Sequence, residues 1–160
     1  MIRSATQQDA EAIAALYNHY VDNTVVTFEE EPVTGAEIAR RIEHVTRTHP
    51  WLTYEKQGAL VGYAYAAPWH SRCAYRLSVE TTIYLDVKHL GEGIGSALYA
   101  ALIAELRERR FHCAIGGIAL PNDASVALHE KLGFRKAGEF KEVGYKLGRW
   151  IDVGYWELFL

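Results

Sequence analysis

Apolar residues recur at helical spacing early in the chain. Ile13, Leu16, Tyr17 and Tyr20 share one helical face, and Thr6-x-x-Asp9 just ahead of them has the spacing of a capping box. A second helix is predicted from Thr34 and ends before His49-Pro50, because proline disfavours helical backbone at the residue before it. The period then shortens. Trp51 to Glu55 and Leu60 to Ala66 read as strands joined through Lys56-Gln57-Gly58-Ala59, and Leu77 to Val87, rich in Val, Thr, Ile and Tyr, reads as a third. Ile94, Leu98, Ala101, Leu102 and Leu106 form one buried helical stripe. Cys113 to Leu120 is a short apolar strand. Asn122 to Leu132 is a further helix, with Gly133 placed for a left-handed C-cap. Phe134 to Phe140 and Asp152 to Leu160 close the chain as strands, and Ile2 and Arg3 suit a short first one. This order predicts a mixed α/β (α+β) fold with one sheet, and a single domain over residues 1–160.

Composition narrows the function classes. The chain has 160 residues, 49% hydrophobic and 23% charged, with 17 Lys+Arg against 20 Asp+Glu and a net charge of −3. Disorder and a disulfide-stapled miniprotein are excluded, and nucleic acid, which calls for a basic footprint, is not an expected partner. Cys73 and Cys113 lie in unrelated segments without metal-ligand spacing, so free thiols and no metal are expected. The longest uncharged apolar stretch, Ala97 to Ala104, is too short to span a bilayer, and the first nine residues lack the apolar core of a signal peptide. No membrane partner and a cytoplasmic location are the expectations.

The informative segment runs from Tyr84 to Ser96. A strand leads into Gly91, Gly93 and Gly95 and then a helix. Such a turn aims free backbone N–H groups and the positive end of a helix dipole at one spot, which suits a phosphate. Neither GxxxxGK[ST] nor GxGxxG occurs, since the glycines alternate and Ser96 holds the third slot.

Leu90 to Gly95 resembles the pyrophosphate loop of the Gcn5-related N-acetyltransferases, (Gln/Arg)-x-x-G-x-(G/A), with Leu90 in place of the leading Gln or Arg. Asn122-Asp123-Ala124-Ser125, followed by a helix ending in Gly133-Phe134, resembles that family's second cofactor helix. Ala67 to Arg72, Ser78 to Tyr84, Leu120 to Asp123, Val143 to Trp150, and Asn18-x-x-Val21 leading to Phe28-x-x-x-Pro32 are similar to the phosphinothricin and methionine-sulfoximine acetyltransferase group. The resemblance implies an acyl-CoA N-acyltransferase fold: a mixed, mostly antiparallel sheet flanked by helices, with splayed central strands. It implies acetyl-CoA as co-substrate and direct acetyl transfer to the α-amine of a small amino acid. It also implies a homodimer.

Amide formation from a thioester needs a neutral amine, a polarised carbonyl and a protonated leaving thiolate. Glu80, which alternation places with Thr82 and Tyr84 on one strand face, is the candidate base; a solvated edge charge is the alternative. The resemblance implies that Ile83, Tyr84 and Leu85 line the pantetheine arm, with a bulge freeing the Tyr84 or Leu85 N–H for the thioester oxygen. It implies that Gly91, Glu92, Gly93, Ile94, Gly95 and Ser96 hold the pyrophosphate, and that Asn122, otherwise a helix cap, also touches the cofactor. His129 falls where many relatives carry a thiolate-protonating Tyr, and is either the acid or only a cofactor contact. Phe28, His70, Ser71, Arg72, Glu80, Thr81 and Thr82 are the candidate acceptor contacts. Arg72 suits an anionic oxygen pair, though an exposed loop or ordinary core also accounts for His70–Arg72 and Phe28. Lys146, Arg149 and Trp150 are expected in a glycine-flanked loop. The rival readings are the same fold acting on a polyamine, an aminoglycoside or a protein N-terminus, and a non-catalytic acyl-CoA sensor.

Overall fold

In the computed structural model, which describes residues 1–160, two helical layers enclose one seven-stranded sheet. The chain runs β1 (Ile2–Ser4), α1 (Ala10–Asn23), α2 (Gly35–Thr46), β2 (Trp51–Lys56), β3 (Ala59–Pro68), β4 (Ser78–Leu85), α3 (Ile94–Glu108), β5 (Cys113–Leu120), α4 (Asp123–Lys131), β6 (Arg135–Lys146) and β7 (Arg149–Phe159). Strand order is β1-β2-β3-β4-β5-β7-β6. Every pair is antiparallel except β4–β5.

The capping signals act as read. The Asp9 carboxylate accepts from the Thr6 amide at 2.7 Å, and the Thr34 hydroxyl accepts from the Glu37 amide at 3.1 Å. Gln57 and Gly58 both take positive φ, the conformation that lets a two-residue turn follow the twist of β2 and β3. Ile13, Ala14, Tyr17 and Val21 of α1 and Ile38 and Ile42 of α2 pack on Trp51 and Tyr63. On the opposite face, Leu98, Tyr99, Leu102, Ile103 and Leu106 of α3 cover Ala64, Val79, Ala114, Ile118 and Trp156. This stripe is wider than predicted, since Tyr99 and Ile103 are buried while Ala101 is half-buried.

Three boundaries differ from expectation. β4 stops at Leu85, because the Asp86 carboxylate accepts from the Lys88 amide at 2.9 Å and starts a 3-10 turn. The segment from Val143 to Trp150 is no loop: β6 and β7 form a hairpin closed by Leu147 and Gly148, both at positive φ. Alternating burial, with Gly144 and Lys146 inside and Val143 and Tyr145 outside, accounts for it; glycine and lysine on the buried positions masked the strand pattern. The bulge implied for β4 is absent, as the β3–β4 register runs unbroken from Pro68–Val79 to Gly62–Leu85. The central strands splay for another reason. β4 and β5 pair only at Ser78–Cys113, Val79–Ala114 and Glu80–Ile115, and beyond that point they diverge.

Candidate active site

Glu80 belongs to the last β4–β5 pair, so its side chain stands at the apex of the fork where the two strands part. Past it, from Thr81 to Leu85, the β4 edge that faced β5 has no strand partner, leaving backbone N–H and C=O groups that must find partners elsewhere. The fork opens into a cleft of about 440 Å³. Phe28, Glu80, Thr81, Thr82, Ile83, Tyr84, Asn122 and His129 all line it, bringing together site residues spread over some 100 positions of sequence.

The Glu80 carboxylate accepts no hydrogen bond from any protein group, unlike the carboxylates of Asp9, Glu29 and Glu92. Its surroundings are apolar and small: Gly117 of β5 leaves room for Oε1, and Tyr155 lies against the same glycine. Desolvation therefore pushes its pKa above the ordinary carboxylate value, with the His70 charge opposing weakly. A half-buried carboxylate of raised pKa and free lone pairs is suited to take a proton from an ammonium group.

On the other face of β4, a chain of hydrogen bonds connects three side chains. Thr81 Oγ1 lies 2.6 Å from the Tyr99 hydroxyl, which lies 3.0 Å from His129 Nε2, and His129 Nδ1 lies 2.8 Å from the Ser125 carbonyl. A carbonyl only accepts, so Nδ1 carries the proton and Nε2 of the neutral ring accepts from Tyr99. Burial lowers the His129 pKa, and the Ser125 contact opposes this only in part. The ring rests on Gly116, where a Cβ would come within 2.4 Å of Nε2. Tyr99 was not anticipated as a site residue. Its signal was a tyrosine on a buried helical stripe, whose hydroxyl must find a partner.

At the far end of β4, Gly91 and Gly93 have φ of +79° and +80° with nothing within 4 Å of a would-be Cβ. The first amides of α3, those of Ile94, Gly95 and Ser96, have no carbonyl a turn earlier, whereas the Ala97 amide already bonds Gly93. Gly95 is buried, and a Cβ there would meet Leu85 at 3.1 Å. Glu92 is turned aside by Lys56 at 2.6 Å and His89 at 3.2 Å, which offsets its charge beside an anion site. Lys131, at the end of α4, reaches Ser96 Oγ at 3.3 Å and adds a cation that the sequence did not reveal. This open backbone cradle fits a pyrophosphate. The Asn122 side chain caps α4 by accepting from the Ser125 amide at 3.1 Å, and its residue also borders the cleft.

The structure does not bring His70, Ser71 and Arg72 into the cleft. They lie on the exposed connection between β3 and β4, close enough for the His70 charge to bear on Glu80. Glu80 is the only charged residue lining the cleft besides the neutral-leaning His129. No His, Cys, Asp and Glu cluster suited to a metal is present, and no helix is long and apolar enough to cross a membrane.

A seven-stranded mixed sheet forked beside a glycine-led helix is the architecture of acyl-CoA-dependent acyltransferases. The model of the acetyltransferase (GNAT) domain matches residues 2–154, and the chain belongs to this family of N-acetyltransferases. It is 41% identical over 98% of its length to phosphinothricin N-acetyltransferase of Streptomyces viridochromogenes, covering 85% of that protein. It is 35% identical to the L-methionine sulfoximine/L-methionine sulfone acetyltransferase of Salmonella typhimurium, over 98% of this chain and 92% of the other. A phosphinothricin acetyltransferase from Sinorhizobium meliloti, solved in complex with AcCoA, superposes with a TM-score of 0.96 at 37% identity, over 100% of this chain and 88% of that one.

Proposed function

We propose that the protein transfers the acetyl group of acetyl-CoA directly to the α-amine of a small amino acid of the phosphinothricin, methionine sulfoximine or methionine sulfone type. The observation that carries this reading is Glu80, an unpaired and desolvated carboxylate at the apex of the β4–β5 fork. Glu80 takes the ammonium proton, directly or through one water, and so frees the amine's lone pair. The glycine cradle and the Ile94, Gly95 and Ser96 amides hold the pyrophosphate, assisted by Lys131. The open edge from Ile83 to Leu85 pairs with the pantetheine arm like an added strand, and the N–H of Leu85 faces the thioester oxygen, since with no bulge the Tyr84 N–H stays turned toward Tyr63 of β3.

His129 has both nitrogens engaged and a lowered pKa, so it orders the thiol side of the cleft as a neutral ring. A direct thiolate acid would need a free, protonated nitrogen there. Phe28 and Thr82 bound the acceptor, whereas the Thr81 side chain is turned to Tyr99 on the opposite face and Arg72, His70 and Ser71 stand on the exposed connection at the rim. A polycationic acceptor is disfavoured, because the cleft offers one carboxylate and no more.

The working form in this reading is a cytoplasmic homodimer, with detoxification of glutamine-synthetase inhibitors as its role. The exposed Phe140, Tyr145, Leu147 and Trp150 of the β6–β7 hairpin provide an apolar surface for self-association. Thiol release from acetyl-CoA, measured against these three acceptors, ordinary amino acids, a polyamine and a short peptide, tests the function. Saturable turnover with the first three supports it; turnover confined to the polyamine or peptide rejects it.

A further inference from the structure

Lys146 on β6 is 3% exposed, and its Nζ donates to the Thr27 carbonyl at 2.8 Å, joining segments 119 residues apart. Desolvation lowers its pKa, while Glu30, Asp22 and Glu29 face it through space and favour the charged form. Burying an ammonium is costly, and a methionine would fill the same volume without that cost, so packing does not account for the residue. What the ammonium achieves is visible in the adjacent contacts. The far end of the Phe28 ring packs against Gly144, where a Cβ would come within 2.3 Å of Cζ, and Thr27 Oγ1 lies 2.6 Å from the Tyr17 hydroxyl. Two successive residues between α1 and α2 are thus fixed at their carbonyl, hydroxyl and ring. The same stretch gives Val26, Thr27 and Phe28 to the cleft, and the hairpin gives Val143.

We propose that Lys146 is a positioning residue that sets acceptor specificity: by clasping Thr27 to the β6–β7 hairpin it seats Phe28 on Gly144 as the wall that limits the acceptor's side chain. This rests on the acceptor class proposed above. The ammonium acts at a distance from the reacting atoms, so its loss bears on acceptor size and affinity and leaves the acetyl-CoA cradle, at the other end of β4, intact.

The test compares Lys146→Met, which keeps volume and removes the donor, with Gly144→Ala, which keeps the ammonium and evicts the ring. Both are expected to raise KM for methionine sulfoximine about tenfold with KM for acetyl-CoA within about twofold. The ratio of kcat/KM for methionine sulfoximine over a bulkier aromatic amino acid should fall in both. Amide hydrogen exchange at residues 25–29 should quicken at least tenfold while the α3 core keeps its protection. Unchanged exchange at 25–29, an unchanged size preference, or equal loss of acetyl-CoA and acceptor affinity would overturn the proposal. If the unaltered enzyme turns over none of the amino-acid acceptors, the acceptor reading fails by itself, and the exchange at 25–29 still decides the clasp.

Discussion

The Tyr99 hydroxyl donates to Nε2 of His129 across 3.0 Å, and the imidazole spends its one proton on the Ser125 carbonyl. Both nitrogens are committed to the protein. Together with burial, this disfavours the charged ring and lowers its pKa below the ordinary histidine value. Nitrogen NMR of the imidazole at pH 7 should report the Nδ1–H tautomer. Titration should show a midpoint below the ordinary value, and Tyr99→Phe should shift the Nε2 resonance while the Ser125 carbonyl keeps the proton on Nδ1.

The same shift makes a statement about stability. The unfolded chain binds a proton at His129 that the folded chain resists, so this contribution is fully present above the unfolded pKa of about 6.5. It is lost progressively as pH falls below that value. Burial lowers the His49 pKa too, and the two act in the same direction. The thermal midpoint should therefore drop between pH 7 and pH 5, and a His129→Gln variant should show a flatter dependence over that window.

Glu80 works in the opposite sense. Its folded pKa is raised, so the folded state is favoured most when the group is protonated, and that advantage disappears as pH rises through the folded pKa. At neutral pH the carboxylate is a strain on the fold. Glu80→Gln should abolish turnover, keep acetyl-CoA affinity, and raise the thermal midpoint by roughly 1–3 °C. The acid limb of kcat/KM should inflect above the ordinary carboxylate range and vanish in the variant. Full activity in Glu80→Gln would remove Glu80 from the mechanism.

Gly93 sits at φ +80° with open space beside it, so alanine there meets a conformational penalty and no clash. Gly93→Ala should cost about 1 kcal/mol of stability and, by putting a methyl over the cradle, weaken acetyl-CoA binding about tenfold. Calorimetric titration separates the two effects. Unaltered affinity would place the pyrophosphate elsewhere.

Lys131→Met should weaken acetyl-CoA binding about threefold and flatten its salt dependence, as expected for one solvent-exposed charge near a phosphate. The measurement is affinity at two salt concentrations.

Much of this was legible in the chain. Capping residues and apolar stripes located α1 to α4, because helix ends and buried faces are set by local hydrogen bonding and period. The alternation in Ser78 to Leu85 correctly separated Glu80 from Thr81, whose side chains serve opposite faces. What escaped was long-range. Lys146 reaches Thr27 over 119 residues, and no spacing rule connects them. Tyr99 and Lys131 matter through partners on α4 and α3 that only the folded sheet brings near. Arg72 illustrates the reverse: a side chain of apt chemistry, close in sequence to Glu80, sits outside the cleft because the connection ahead of β4 turns away.

The three-pair contact between β4 and β5 leaves a rift through the middle of the sheet, where most proteins keep their best-protected hydrogen bonds. An exposed inner edge invites any extended peptide, including another copy of the same strand. In the proposed reading, the acetyl donor lies along that edge and serves as the missing strand. Its binding energy becomes folding energy, adding about 2.7 kcal/mol when it is present at a hundred times its dissociation constant. Supply of the donor then governs how long the enzyme survives as well as how fast it works, and starving it of acetyl-CoA should shorten its lifetime before any change in its synthesis.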